Sequence, residues 1–506
     1  MAKGSTSPAI VDDPTDGARD VEHVDVLVVG AGISGIGAAY HLQDQRPGTT
    51  FAVFEAHESF GGTWWTHRYP GVRSDSDLFT LGYRFKAWGG DPIATGEQIL
   101  TYLGEVIDEF DLAPHIRYRH RVESASWSSD TNLWTVTATD LASGDEVRFT
   151  TNFVWMCQGY YEHGKGYTPE WEGFDDFAGE VLHPQEWPED ADLTGKRVVV
   201  IGSGATAATL IPAIADDAAH VTMLQRSPTY FIARPNTNDL ANTLRDLDVP
   251  PEWIHEIVRR QIFRMTEQMR AASNWSPDEL KKMMIDGVRA QLPDGFDVDR
   301  HFTPSYRVWQ QRLAVLPDGD LFTAIREGKA SVVTDTIERF TPTGIATTSG
   351  EHLDADVVIT ATGFDLSVFG GMDYWVDGEP VDPSQLVTYR GIMFTGLPNL
   401  AYIFGYFRAS WTLRADIISD FVCRLLAHMQ ATGTHKVVPV LRDTDRDMTL
   451  IPWVDPENFN PGYLTRSLHL MPSQGDRDPW NWGLEYSEEQ QALAAAELDD
   501  GTLEFT

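Results

Sequence analysis

The chain has 506 residues, 42% hydrophobic and 23% charged, enough for two or three domains with full cores. Its formal net charge of −36 argues against nucleic acid and anionic membrane as partners. Only two cysteines occur, Cys157 and Cys423, both in apolar or helical runs, which excludes a disulfide framework and a Cys-based metal site; no metal is expected.

Residues 1–22 are rich in Ser, Pro, Asp and Gly, carry no charged-then-apolar signal pattern and are expected to form a mobile tail on a cytoplasmic protein. Val24–Val29 then reads as a buried parallel strand, a helix follows to about Gln45, and Thr50–Phe54 returns as a strand. Between them lies the turn of Gly30, Gly32 and Gly35. The first glycine permits a tight turn, the second lets the backbone approach a pyrophosphate, and the third lets helix and strand pack closely. The helix N-terminus offers free N–H groups to phosphate. Glu55 ends the next strand, about 20 residues on, where an acid accepts hydrogen bonds from a ribose diol. This unit suits FAD or NAD.

Residues 61–90, dense in Gly, aromatics, Arg and Asp, look too irregular for a core element, and Glu97–Phe110 looks helical. WTVTATD and DEVRFTT alternate as a small hairpin layer, and Asn152–Cys157 reads as a separate strand. Residues 161–192 read as a linker, and Tyr160 and Tyr161, on either side of its start, are assigned to packing. A second glycine turn follows, with Gly202, Gly204 and Ala207 after a β-branched run. Val198–Ala215 is 18 uncharged residues, but the turn inside it argues for strand–turn–helix and against an integral membrane segment. Arg226 ends the next strand. A cation there fits a 2′-phosphate, so this unit suits NADP, with Thr206 and Ser227 as further phosphate partners. Glu252–Ala271 and Pro277–Gln291 look like helices inserted into it. DADVVITATGF should end at Gly363, rejoin the first unit and let the backbone approach its cofactor. Ser410–Met429 reads as an amphipathic helix whose Trp411 is core, and Trp453 to Trp482 as a surface wrap.

The expected fold is therefore α/β, with two Rossmann-like dinucleotide-binding domains, one inserted in the other, and a helical insertion. The expected divisions are a first-domain segment 23–160, the linker 161–192, a second domain 193–340 with its insertion at about 235–295, and a returning segment 341–506.

FAGEVLHPQEWP, with Phe177, Gly179, His183, Trp187 and Pro188, matches the F-x-G-x-x-x-H-x-x-x-W-P fingerprint of type I Baeyer–Villiger monooxygenases. GGTWWTHRYPGVRSD, with Gly62, Thr63, Trp64 and Asp75, matches a second pattern of that family. The chain resembles this family along nearly its whole length after residue 22, most closely its ethionamide-activating type, through RSDSDLFTLGYRF, QRLAVLPDGDLF and RASWTLRAD. The resemblance implies FAD, NADPH and O2, and conversion of a small-molecule ketone to an ester or lactone through a flavin peroxide, with sulfide oxidation in some members. It implies that Arg312 is the catalytic cation, that Asp75 pairs with it, and that Gly62, Thr63, Trp64 and Asp75 face the cofactor. His183 becomes a hinge residue rather than a base. Gln311 stands where the family usually has Lys, which leaves a cofactor role there unsupported. Chemically, an anionic oxygen nucleophile needs a fixed, always-charged cation in a dry site, which arginine supplies. An S-oxygenating or long-chain hydroxylating flavin monooxygenase is the alternative. A plain NADPH-dependent reductase would want a redox-active C-x-x-C, absent here. The particular substrate and the oligomeric state are not readable.

Overall fold

The computed structural model describes residues 21–483 and 485–506; the expected tail lies outside them except for its last two residues, and the first strand already begins at Glu22. Two α/β units share the chain. The first is built on a nine-stranded mixed sheet. Its parallel centre pairs Glu22–Val29 with Phe51–Phe54 on one side and Glu146–Met156 on the other. Both faces of this centre are covered, so Val26, Leu27, Val28 and Val53 are fully apolar and buried, as a parallel sheet requires. DEVRFTT and Asn152–Cys157, read as separate strands, are one: Glu146–Met156 carries both the hairpin and the central pairing. The hairpin is thus the antiparallel continuation of the main sheet, not a separate layer.

The second unit is a five-stranded parallel sheet, in the order Ala330–Thr334, His220–Gln225, Arg197–Ile201, Val357–Thr360 and Glu180–Leu182. Two expectations are corrected here. Val357–Thr360 pairs with Arg197–Ile201, so the second unit extends to about residue 360 and not 340. The fingerprint stretch is not only a linker, because Glu180–Leu182 is the edge strand of the second sheet. The chain crosses between units twice, and the two crossings pair with each other: Tyr161–Gly166 runs antiparallel to Phe364–Leu366.

The inserted helices straddle both units. Pro277–Arg289 buries Leu280, Met284, Ile285 and Val288 in the second core. Pro251–Trp275 buries Ile254 and Val258 in the first. From the same helix, Arg259 donates to the carbonyls of Phe79, Thr80 and Gly82 at 3.0–3.3 Å, capping the short helix Leu78–Leu81 whose last carbonyls have no helical partner. The C-terminal stretch is no surface wrap. Trp453 and Trp480 are fully buried, and Arg414, itself buried, holds Glu489 at 2.8 Å and lies over Trp482. Cys157 and Cys423 are buried, and burial pushes both thiols up.

His255 of the long inserted helix accepts at Nδ1 from the Trp88 backbone N–H at 3.2 Å, and burial, then the charge of Arg259, pushes its pKa down to about 4. The folded chain therefore refuses a proton that the unfolded chain takes up below about pH 6.5. This contribution is complete above that pH and is lost progressively as pH falls toward 4. Replacing His255 with Gln should flatten the acid-side loss of stability by about 1.4 kcal/mol per pH unit, read from denaturant unfolding between pH 6.5 and 5. Equal slopes in parent and variant would contradict a neutral, buried His255.

Candidate functional site

A cavity of about 740 Å³ lies where the units meet, lined by both glycine turns and by the strand crossings. In the first turn, Gly30 has φ +98° and a Cβ there would lie 2.8 Å from Gln158 Cα. At Gly35 a Cβ would stand 1.8 Å from the Gly30 carbonyl, so only glycine closes the helix onto the strand. Gly32 precedes the helix Ile33–Gln45, leaving its N-terminal N–H groups toward the cavity without a side-chain cap. Glu55 is 5% exposed, and its carboxylate accepts from the backbone N–H groups of Ala31 and His57, both at 2.8 Å. A carboxylate has further lone pairs, so acceptor capacity remains for a ligand. Gly62, at φ +54°, packs its Cα against Gly32 and starts the short helix bearing Thr63 and Trp64, which also line the cavity.

The second turn repeats this plan. Gly202 has φ +129°, and a Cβ there would meet the Ala361 carbonyl at 2.3 Å. Gly204 precedes the helix Ala205–Ile214; Gly204 and Thr206 line the cavity, while Ala207 is buried. Arg226 and Ser227 are exposed just beyond His220–Gln225, and the Ser227 carbonyl accepts from Ser203 Oγ at 3.2 Å. Gly363, at φ +100°, lines the cavity where the chain returns.

Arg312 enters this cavity from the second unit. Its Nη2 donates to Tyr160 Oη at 3.0 Å and its Nε to Tyr463 Oη at 3.4 Å. Tyr160 in turn donates to Tyr161 Oη at 2.9 Å. Burial pushes all three phenols up, Tyr161 to about 12, so they are neutral at working pH. Asp75 lines the same cavity, but the expected Asp75–Arg312 ion pair is not formed: Asp75 accepts from Ser76 Oγ, and Arg312 has only phenol partners among the described residues. The guanidinium turns to the phenols because they close on it from the crossing strand and the C-terminal segment. Arg73, another cation in the lining, is held by Asp320 of the second unit at 2.6 Å.

The fingerprint residues sit beside the cavity. The ring of His183 fills the space above Gly166, where a Cβ would fall 1.9 Å from its Cε1; its Nδ1 accepts from Gln185 N–H at 3.1 Å, and burial lowers its pKa. Gly179 is required because a Cβ would meet the Asp356 carbonyl at 2.5 Å. Phe177 packs on Phe340, Trp187 packs on the second core, and the Pro188 carbonyl accepts from Ala191 N–H. Among the cavity residues that sequence reasoning missed are four aromatic ones. Tyr160 and Tyr161 were assigned to packing, Trp411 to the core, and Tyr463 was not singled out; all four line the cavity. For the tyrosine pair a signal existed, since they follow the carboxyl end of a central parallel strand, where ligands bind in such folds.

The lining fits a large polar cofactor. Both amide atoms of Gln158, Nε2 of His67 and Nδ1 of His163 are buried without a partner among the described residues, and all three side chains face the cavity. Burial lowers the His163 pKa to about 4. No described helix is long and apolar enough to cross a membrane.

Residues 93–373 match the flavin-binding monooxygenase-like family, and residues 28–86 an NAD(P)-binding Rossmann-like domain. The chain is 46% identical over 487 residues to the FAD-containing monooxygenase EthA of Mycobacterium tuberculosis, covering 96% of this chain and 98% of that one. It is 42% identical to the probable FAD-binding monooxygenase AlmA of Acinetobacter baylyi, covering 96% of each. Among solved structures it is similar to an oxidized steroid monooxygenase bound to NADP, with TM-score 0.73 and 24% identity over 96% of this chain and 99% of that one. It is likewise similar in fold to an open cyclohexanone monooxygenase, with TM-score 0.72 and 21% identity over 96% of this chain and 100% of that one.

The seam between units is tight at Gly71, where φ is +76° and a Cβ would lie 2.5 Å from the Thr209 carbonyl and 2.6 Å from Ala213 Cβ. Gly71→Ala should cost roughly 1–3 kcal/mol from backbone strain alone and lower the thermal midpoint. An unchanged midpoint would mean that the units do not close at this point.

Proposed function

The chain belongs to the flavin-binding monooxygenase family, and from that premise we propose that this FAD- and NADPH-dependent enzyme of Baeyer–Villiger type converts ketones to esters or lactones. The observation that carries the ketone reading is Arg312, a half-buried cation with neutral hydrogen-bond partners in the cavity that both glycine turns line. Carbonyl oxygenation develops negative charge on oxygen, and a preorganised cation in a dry site stabilises it.

In this reading the first turn holds FAD. The helix N-terminus beyond Gly32 would hold its phosphates and Glu55 its ribose, and Gly62, Thr63, Trp64, Asp75 and Gly363 would line the rest of its site. The second turn would hold NADPH, with Gly204 and Thr206 facing the pyrophosphate, Gly202 and the buried Ala207 shaping the turn behind them, and Arg226 and Ser227 meeting the 2′-phosphate. Bound FAD, reduced by NADPH, supplies the activation of O2. The chain's own part is to orient the ketone and exclude water. Arg312 directs its remaining N–H groups at the developing oxygen anion. Asp75, within the same cavity, biases the orientation of that guanidinium through its charge. His183 wedges the crossing strand at Gly166 and transmits movement between the units.

The function is tested by mass spectrometry of products from ketones and sulfides under labelled O2. One labelled oxygen inserted into the ketone carbon skeleton is the expected result; label only in sulfoxide, or in water alone, overturns the ketone reading. Arg312→Ala should still bleach with NADPH but release hydrogen peroxide in place of ester, with a loss of roughly 3–4 kcal/mol of stabilisation in the oxygenation step, the scale of a removed oxyanion donor.

Cofactor choice is a separate outcome. A charge-assisted hydrogen bond to phosphate contributes roughly 1.5–3 kcal/mol, about ten- to hundredfold. Arg226→Ala should raise the KM for NADPH by that factor and leave the NADH value nearly unchanged. Steady-state kinetics with both nucleotides decide it, and equal effects on the two assign Arg226 no part in 2′-phosphate recognition.

A further inference from the structure

We propose that Tyr160 and Tyr463 are positioning residues for Arg312, holding its guanidinium as neutral acceptors so that its charge stays uncompensated for the reaction. This rests on the reading of Arg312 given above and adds what fixes that side chain.

The phenols approach from different parts of the chain. Tyr160 follows the central strand Glu146–Met156 and is set by its surroundings: Tyr402 Oη donates to the Gly159 carbonyl at 2.9 Å, and the Trp411 ring stacks 5.4 Å from that of Tyr160. Tyr463 lies on the helix Gly462–Ser467, at the end of a strap tied to the Arg312 loop. Asn460 N–H donates to the Gln310 carbonyl at 2.9 Å, Gln311 Nε2 reaches Asn460 Oδ1 at 3.3 Å, and Arg307 Nη2 donates to the Glu457 carbonyl at 2.9 Å. Gln311, the position with no assigned cofactor role, is thus part of the strap's anchorage.

The hydrogen-bond directions matter. The Tyr160 hydroxyl proton is committed to Tyr161, which leaves its oxygen lone pairs turned to the Arg312 Nη2 hydrogen. A chain of such bonds polarises each member and strengthens the next. With Nε and one Nη2 hydrogen occupied, the Nη1 pair and the other Nη2 hydrogen stay available to an anion. A carboxylate in place of either phenol would satisfy the same donors but cancel much of the cation's field. The phenols position it without doing so.

The experiment uses purified oxidised holoenzymes of the parent, Tyr160→Phe, Tyr463→Phe and Arg312→Ala, and the two double variants that combine each phenylalanine with Arg312→Ala. Phenylalanine keeps the ring and its packing and removes only the oxygen. The first readout is the rate at which phenylglyoxal labels Arg312, followed by peptide mass spectrometry without turnover. A lost bond to a charged group is worth about tenfold, so labelling of Arg312 should be about that much faster in each phenylalanine variant. The second readout is hydrogen peroxide released per NADPH with a ketone present, which should rise in each phenylalanine variant. In the Arg312→Ala background, adding either phenylalanine should change this ratio no further, because a residue that acts through Arg312 has nothing left to position. Flavin content reports folding, and if Tyr160→Phe loses flavin, Tyr463→Phe carries the test. Unchanged labelling, or uncoupling that adds fully to that of Arg312→Ala, overturns the positioning role. If Arg312→Ala itself makes ester at the parent ratio, the reading of Arg312 fails first, and the positioning role falls with it.

Discussion

Burying a guanidinium costs several kcal/mol unless its donors are met, and meeting them with a carboxylate removes most of its field. Arg312 lies between these limits, in a cavity, on hydroxyl oxygens that burial keeps neutral. The surrounding architecture serves that compromise. The cation is carried by the second unit, one phenol by the strand that leaves the first, and the other by a strap from the far end of the chain. No single unit contains the arrangement. It exists only while the seam is closed.

The seam is closed by specific polar and close-packed contacts together with the apolar residues that the inserted helices bury in both cores. Arg73 and Asp320 pair across it, Gly71 lets a loop of the first unit touch the helix after the second turn, and Arg259 reaches from the insertion to cap a helix of the first. Each is a discrete hydrogen-bonded or close-packed site that can be made or broken as a unit. Besides the inserted helices, the chain passes between units through Tyr161–Gly166 and Phe364–Leu366, which pair with each other in one short ribbon. Tyr161 stands in that ribbon and receives the proton of Tyr160. The ribbon is thus linked to Arg312 through the Tyr160 hydroxyl.

The parts of this arrangement written in local sequence were legible. A glycine turn announces itself because steric exclusion acts over a few residues: at Gly35 and Gly202 the structure has no room for a Cβ. The longer helices followed from periodicity in the same way, whereas short ones such as Leu78–Leu81 and Asp320–Arg326 did not. Reading failed where position depends on distant pairing. Val357–Thr360 looks like any apolar strand, and nothing in it says that its neighbour is Arg197–Ile201. The fingerprint was recognisable as a pattern, yet its edge-strand role depends on a partner more than a hundred residues away. Tyr463 had no signal at all, since its contact with Arg312 joins residues 151 positions apart. The buried Trp453 and Trp480 misled for the opposite reason: a Pro- and aromatic-rich stretch resembles a surface wrap until a core is seen to need it.

The overall charge completes the physical picture. A chain with a formal net charge of −36 repels an anionic nucleotide at long range, so its sites cannot depend on a broad attractive field. At physiological ionic strength, charges more than about 8 Å apart are largely screened. The groups within contact distance are the helix N-termini at both glycine turns, an exposed Arg226 beside the second, and Arg312 inside the cavity. An acidic surface also gives each such cation more weight, because it is a local reversal of sign against its surroundings. The neutral phenols fit the same logic. In a chain with so many carboxylates, Arg312 is hydrogen-bonded by groups that carry no charge, and the Asp75 carboxylate acts on it only across the cavity.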